Sequence, residues 1–92
     1  MNKDIGYRIL CLYPGKIYDQ KTSQYVPDVA NPMHWFGKWS SYGGYLGVYD
    51  TVDDAKNSAR ANGVKKGTYE VWRFHIGLPT SDIPRFPPEK VA

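Results

Sequence analysis

The sequence predicts an α+β fold, in which a small antiparallel or mixed β-sheet of about four to five strands is covered by one short α-helix at about residues 51–62. Three observations lead to this prediction. Segments on both sides of the helix have the two-residue period of strands, the helix is bounded by a capping residue and a glycine, and 92 residues are enough for one domain only. We assign residues 1–77 to this domain and residues 78–92 to a Pro-rich extended tail.

The first strand is predicted over residues 5–13, and both of its faces carry apolar groups. A strand that is apolar on both faces is typical of the interior of a sheet, so we expect neighbouring strands on both sides. Residues 17–18 and 24–26 are predicted as two further short strands around a polar loop.

The most aromatic segment of the chain covers residues 33–42, and Gly43 and Gly44 follow it. Two consecutive glycines predict a two-residue hairpin turn of type I′, because both central positions of that turn need a positive φ. We therefore pair residues 36–42 with residues 45–49.

The helix has recognisable ends. Thr51 is the predicted N-cap, with Asp54 in the place of the usual capping-box glutamate. Gly63 fits the C′ position beyond the last turn. Spacings of three and four predict an inner face that consists of Val52, Ala55 and Ala59.

The last strand is predicted over residues 68–76. We expect the face with Trp72, Phe74 and Ile76 to meet the helix, and Arg73 and His75 to point towards solvent or a partner. Four of the seven prolines lie beyond residue 77, so the tail is predicted to be extended and polyproline-like.

Composition limits the classes of partner and compartment. The net charge is +3 with a pI near 9.0, which is compatible with a nucleic-acid partner or an acidic protein surface. The single cysteine excludes an internal disulfide and favours a reducing compartment. Neither a membrane span nor a signal peptide is visible, so we expect a cytoplasmic protein without membrane association. We also expect it to be a monomer.

The sequence predicts no catalytic residue, no metal and no cofactor. Its two histidines and one cysteine lack the paired spacing of a zinc site, and the glycines before the helix lack the Lys-Ser/Thr of a phosphate loop. One enzyme class stays open as an alternative. Arg8, Ser40 or Ser41, and Glu70 follow the order of groups in ADP-ribosyl-transfer folds.

Two groups of residues are predicted to bind a partner, against the alternatives of a core strand and a solvated helix face. Trp35 and Lys38 belong to an aromatic-basic run that would stack on bases or dock in a protein groove. The second group is basic, and no acidic residue follows Asp53 on the same face of the helix, so the second half of that face presents only positive charge. Contacts of these cations with phosphate would be independent of nucleic-acid sequence and sensitive to salt. It consists of Lys56, Arg60, Lys65 and Lys66, and Arg73 is added from the last strand.

A small aromatic-rich sheet covered by one short helix resembles the compact inhibitors encoded by bacteriophages, above all anti-CRISPR proteins directed against multi-subunit surveillance complexes. The resemblance covers the architecture and size of residues 5–77. It implies a non-enzymatic inhibitor that binds a Cas protein or guide RNA in a host ribonucleoprotein and blocks target DNA binding. Many such inhibitors are acidic DNA mimics, whereas a basic chain favours contact with RNA or with an acidic protein face.

Two alternatives to this inhibitor remain at the level of the sequence. One is an autonomous single-stranded nucleic-acid-binding module, and the other is the small ADP-ribosyl-transferase-like enzyme.

Overall fold

The computed structural model describes residues 4–39, 45–77 and 82–92, without the side chains of residues 38, 39, 45 and 46. Within these ranges the chain forms a four-stranded antiparallel sheet, two two-stranded sheets and one short helix, which confirms the predicted small α+β fold. In chain order the elements are β1 (Ile5–Cys11), β2 (Lys16–Asp19), β3 (Gln24–Pro27), β4 (His34–Trp35), β5 (Lys38–Trp39), β6 (Tyr45–Leu46), α1 (Val52–Ala61), β7 (Tyr69–His75) and β8 (Glu89–Lys90).

The main sheet has the strand order β4-β1-β7-β8, and each neighbouring pair is antiparallel. The predicted interior position of the first strand is confirmed, because β1 pairs with β4 on one side and β7 on the other. Strands β1 and β7 pair over their whole length, with Ile9 opposite Val71. This central pair is the platform on which the rest of the sheet and the helix lie.

The helix packs on the face of the main sheet that carries Ile9 and Val71. These two side chains and the inner alanines of α1, Ala55 and Ala59, are fully buried. The expectation that the Trp72 face would meet the helix is wrong, because side chains alternate along β7 and Trp72 points away from the Val71 side. An alanine face brings a helix close to its sheet, and compact aliphatic side chains fill that narrow space better than an indole does.

Both predicted ends of the helix are confirmed. The backbone N–H of Asp54 donates to Thr51 Oγ1 at 3.0 Å, which caps the first turn. At the other end Gly63 has a φ of +77°, and the N–H of Val64 donates to the Ala59 carbonyl at 2.9 Å, as in a Schellman motif. Among the described residues, no helix has the length and the apolar composition that a bilayer span requires.

The two short hairpins agree with the sequence prediction to different degrees. Strands β2 and β3 are the predicted short pair, with Tyr18 opposite Tyr25. Strands β5 and β6 pair as predicted, but Trp39 lies opposite Tyr45, whereas a two-residue turn would place residue 42 there. The predicted register is therefore wrong, and the predicted turn itself lies outside the described residues. Gly37, with a φ of +147°, separates β4 from β5, so the aromatic run is not one regular strand.

The predicted Pro-rich extended tail is not confirmed. Residues 82–92 run back along the main sheet, and β8 pairs antiparallel with β7, with Glu89 opposite Arg73. Without β8, the outer side of β7 would present unpaired backbone groups. The chain end fills that position, which is the physical reason for the difference from the prediction.

Candidate functional site

A cleft of about 700 Å³ opens beside the second half of α1. Its volume falls in the range of roughly 300–1,000 Å³ that small-ligand sites occupy. We call it the basic cleft, and its walls come from α1, the loop after α1, β7 and the chain end after β8. The lining residues are Lys56, Arg60, Val64, Lys66, Gly67, Tyr69 and Ala92.

Local structure brings three cations to the basic cleft. Lys56 and Arg60 are four residues apart, so they lie on one face of α1. Lys66 reaches the same cleft because the chain turns again after the helix, where the N–H of Thr68 donates to the carbonyl of Lys65 at 3.1 Å. Three of the four basic residues predicted around the helix end are thereby placed around one opening.

The three cations are not neutralised by their neighbours. Lys56, Arg60 and Lys66 are exposed, and no carboxylate of the described residues lies within ion-pair distance of them. Arg60 Nη2 donates to Asn57 Oδ1 at 2.9 Å, which positions the guanidinium without cancelling its charge. Near the end of α1, where free carbonyls would repel an anion, the carbonyls of Ser58 and Ala59 accept hydrogen bonds from Asn62, and that of Arg60 accepts one from the N–H of Gly63. An anion in the cleft therefore meets positive charge on several sides.

The floor of the basic cleft is apolar and aromatic. Val64 is buried, and Tyr69 is half-buried against the core. Cations beside an aromatic ring are the combination that holds single-stranded nucleic acid, because the cations attract phosphate and the ring stacks on a base. The arrangement is thus suited to a phosphate-bearing ligand with a flat ring.

The remaining predicted binding residues lie outside the basic cleft. Lys65 is exposed next to it but does not line it. Trp35 is half-buried on the face of the main sheet that points away from α1. Arg73 forms an ion pair with Glu89, and for Lys38 the structure describes only the backbone, in β5.

Trp35 belongs to a packed cluster of aromatic rings around one arginine. The guanidinium carbon of Arg8 lies 4.7 Å from the centroid of the Trp35 ring and 5.4 Å from that of Phe74. Trp35 also makes edge-to-face contacts with Trp72 and Phe74, at centroid distances of 6.2 Å and 5.2 Å. These cation–π and aromatic contacts give Trp35 a packing role on this face.

Glu70 lies on the same face and connects two strands. Its carboxylate accepts a hydrogen bond from Trp72 Nε1 at 3.1 Å and forms an ion pair with Lys90 Nζ at 3.2 Å. The hydrogen bond from Trp72, followed by the interaction with Lys90, lowers the pKa of Glu70. Arg8 and Glu70, two of the groups that follow the order of ADP-ribosyl-transfer folds, thus lie on the same face of the sheet, and each contacts neighbouring side chains. The serines of that order, Ser40 and Ser41, lie outside the described residues.

Cys11 and His34 are opposite each other in the β1–β4 pair. The thiol is fully buried, and this burial raises the pKa of Cys11, which keeps the thiol protonated near neutral pH. His34 Nδ1 lies 2.8 Å from the carbonyl oxygen of Tyr13, so that ring nitrogen is already occupied. The described part of the chain contains no group of three or more side chains able to hold a metal ion.

Sequence analysis missed the uncharged half of the basic cleft. Val64 and Gly67 have the pattern of turn residues, Tyr69 that of a strand residue, and Ala92 that of a tail residue. They meet only because α1 packs beside β7 while the chain end returns to the same edge. No local pattern carries that information.

Comparison of the chain with protein-family models, with curated proteins and with solved structures finds no match.

Proposed function

We propose that this protein is a non-enzymatic inhibitor that binds the nucleic acid of a host ribonucleoprotein defence complex through the basic cleft and so blocks target DNA binding. The observation that supports the proposal is the convergence of Lys56, Arg60 and Lys66 on one cleft that has Tyr69 in its lining. The class of complex, a Cas-type assembly with guide RNA, follows from the resemblance in architecture and size.

Phosphate is the ligand group that this charge arrangement favours. Each lysine or arginine that contacts a nucleic-acid backbone releases a condensed counterion, which supplies affinity without reading sequence. Three un-neutralised cations around a small volume give that attraction a defined location, and the overall charge of +3 adds to it. An inhibitor needs no catalytic group and no sequence readout, because a protein bound to the phosphates of the guide RNA hinders pairing with target DNA.

The proposal is tested by pull-down from the host with tagged protein, with and without nuclease. The cleft variant is Arg60→Glu with Lys66→Glu. The matched control is Lys16→Glu with Lys21→Glu, in the β2–β3 hairpin. Each double variant lowers the net charge by four, from +3 to −1, so total charge is held equal. All four side chains are exposed, so the thermal midpoints should stay close to that of the wild type.

We expect the wild type and the hairpin variant to recover the same ribonucleoprotein, and the cleft variant to recover none. Equal recovery by the cleft variant would contradict the assignment of the basic cleft. Recovery of the same complex after all RNA has been digested would contradict a nucleic-acid contact and indicate an acidic protein face instead.

The autonomous single-strand binder is the second candidate, because an aromatic residue, Tyr69, lines the basic cleft beside the cations. The two candidates differ in whether they prefer free RNA strands or the assembled host complex. A binder of free strands should be displaced from the host complex by naked RNA at concentrations comparable to those of the complex, with a steep dependence on salt. The inhibitor should prefer the assembled complex over naked RNA by orders of magnitude.

A further inference from the structure

The chain end forms one wall of the basic cleft. Ala92 lines the cleft, and its main-chain oxygen accepts a hydrogen bond from the N–H of Val71 at 2.8 Å. The N–H of Val91 in turn donates to the Val71 carbonyl at 2.9 Å. This wall therefore exists only while the chain end stays paired with β7.

Backbone pairing alone gives little stability to such a short strand. Strand β8 contains two residues and occupies the edge of the sheet, where segments open most readily. Side-chain contacts must supply much of the free energy that keeps it in place.

Arg73 makes two such contacts on the helix side of the sheet. It forms an ion pair with Glu89, directly opposite in the β7–β8 register, and its guanidinium carbon lies 4.6 Å from the centroid of the Phe86 ring. The same ring packs edge-on against His75, whose Nε2 lies 3.2 Å from the carbonyl oxygen of Ile83. The returning segment is therefore attached to β7 at several points along its length.

The other side of the sheet has its own attachment, the ion pair between Glu70 and Lys90. Arg73 differs from this pair because one side chain contacts both the strand β8 and the segment that leads to it. Loss of the Arg73 side chain would remove both contacts at once.

We propose that Arg73 is a positioning residue of the basic cleft, which seats β8 on β7 so that Ala92 completes the wall opposite the cations. This inference rests on the proposed function of the cleft. It gives Arg73 a role without contact to the ligand, in place of the direct contact expected from the sequence. By thermodynamic linkage, a ligand that binds the completed cleft must also stabilise the pairing of β8.

Amide hydrogen exchange measures the pairing of β8 directly. Arg73→Gln is compared with Arg85→Gln, which removes the same charge from an exposed side chain of the same segment. We expect Arg73→Gln to lower the protection of the Val71 and Val91 amides by about two- to fivefold, the effect of a partly exposed ion pair. Arg85→Gln should leave both amides unchanged.

A short single-stranded RNA at low ionic strength serves as the probe of linkage. Its addition should raise the protection of the Val91 amide in the wild type. Val91→Pro removes one of the three backbone hydrogen bonds to Val71 and so weakens the pairing of the chain end. It should weaken RNA binding by the same factor at low and high salt, since the cleft cations are retained. A purely structural effect of Arg73 would change amide protection but not its response to RNA.

Three outcomes would overturn the inference. The first is equal amide protection in Arg73→Gln and Arg85→Gln, the second is a Val91 amide whose protection does not respond to RNA, and the third is RNA binding by Val91→Pro at wild-type affinity. Each of them leaves the proposed function intact if Arg60→Glu with Lys66→Glu still abolishes recovery of the host complex. If that cleft variant recovers the complex normally, the proposed function itself fails.

Discussion

Replacement of Gly63 by alanine should destabilise the protein through the backbone alone. Gly63 has a φ of +77°, and a Cβ added there meets no atom within 4 Å, so no steric clash contributes. The left-handed conformation costs an L-residue about 1–2 kcal/mol. Alanine recovers roughly 0.4–1 kcal/mol by restricting the unfolded chain. The expected net loss of unfolding free energy is therefore about 1 kcal/mol.

Thermal unfolding followed by circular dichroism checks this value. For a domain of this size, 1 kcal/mol corresponds to a lower Tm by about 4–8 °C. Gly63→Asn should lower the Tm by less than Gly63→Ala does, because asparagine tolerates the left-handed region. Gly6→Ala is a useful contrast, since there the new Cβ would lie 2.6 Å from Val48 Cγ1 and the loss comes from packing. An unchanged Tm for Gly63→Ala, or a larger loss for Gly63→Asn than for Gly63→Ala, would refute the backbone argument.

Three further predictions follow from single residues. The pKa of Glu70 is lowered below its ordinary 4.5 in the folded state, so the stability that this carboxylate contributes is complete above about pH 4.5 and is lost as the pH falls through the folded pKa. Glu70→Gln should therefore flatten the acid side of a plot of unfolding free energy against pH, and an unchanged plot would contradict this. Because burial raises the pKa of Cys11, a thiol reagent should label the native protein far more slowly than the unfolded one, and equal rates would contradict the burial. Thr51→Ala should cost about 1 kcal/mol in urea unfolding through loss of the cap to the Asp54 N–H, and a loss below about 0.3 kcal/mol would contradict that cap.

The helix and the central strands were predictable because their signals are local. Thr51 and Gly63 define the ends of α1 through backbone groups only a few residues away. The alternation in β1 is likewise contained within the strand itself. Local signals of this kind survive in the folded protein when tertiary contacts do not oppose them.

The orientation of β7 and the place of the chain end were not predictable, because both depend on distant residues. Val71 and Trp72 are both apolar, and the alternation alone does not say which of them meets the helix. Strand β8 consists of Glu89 and Lys90, which have no strand preference of their own and pair only because β7 has a free edge.

The candidate site was half predictable for the same reason. Lys56 and Arg60 share a helix face by spacing, which the sequence shows. Their position beside Lys66, Tyr69 and Ala92 depends on how α1 packs and on the return of β8 to the main sheet.

The salt dependence of binding to the recovered host complex tests the basic cleft most directly. Binding of the wild type is compared with Lys66→Ala and with Lys21→Ala, an exposed lysine in the turn between β2 and β3 that lines no part of the cleft. If Lys66 contacts a phosphate, its removal lowers the slope of log K against log salt by about 0.7, the value for one contact to a single strand, while Lys21→Ala keeps the wild-type slope. Identical slopes for all three proteins would contradict a phosphate contact by Lys66 in the basic cleft.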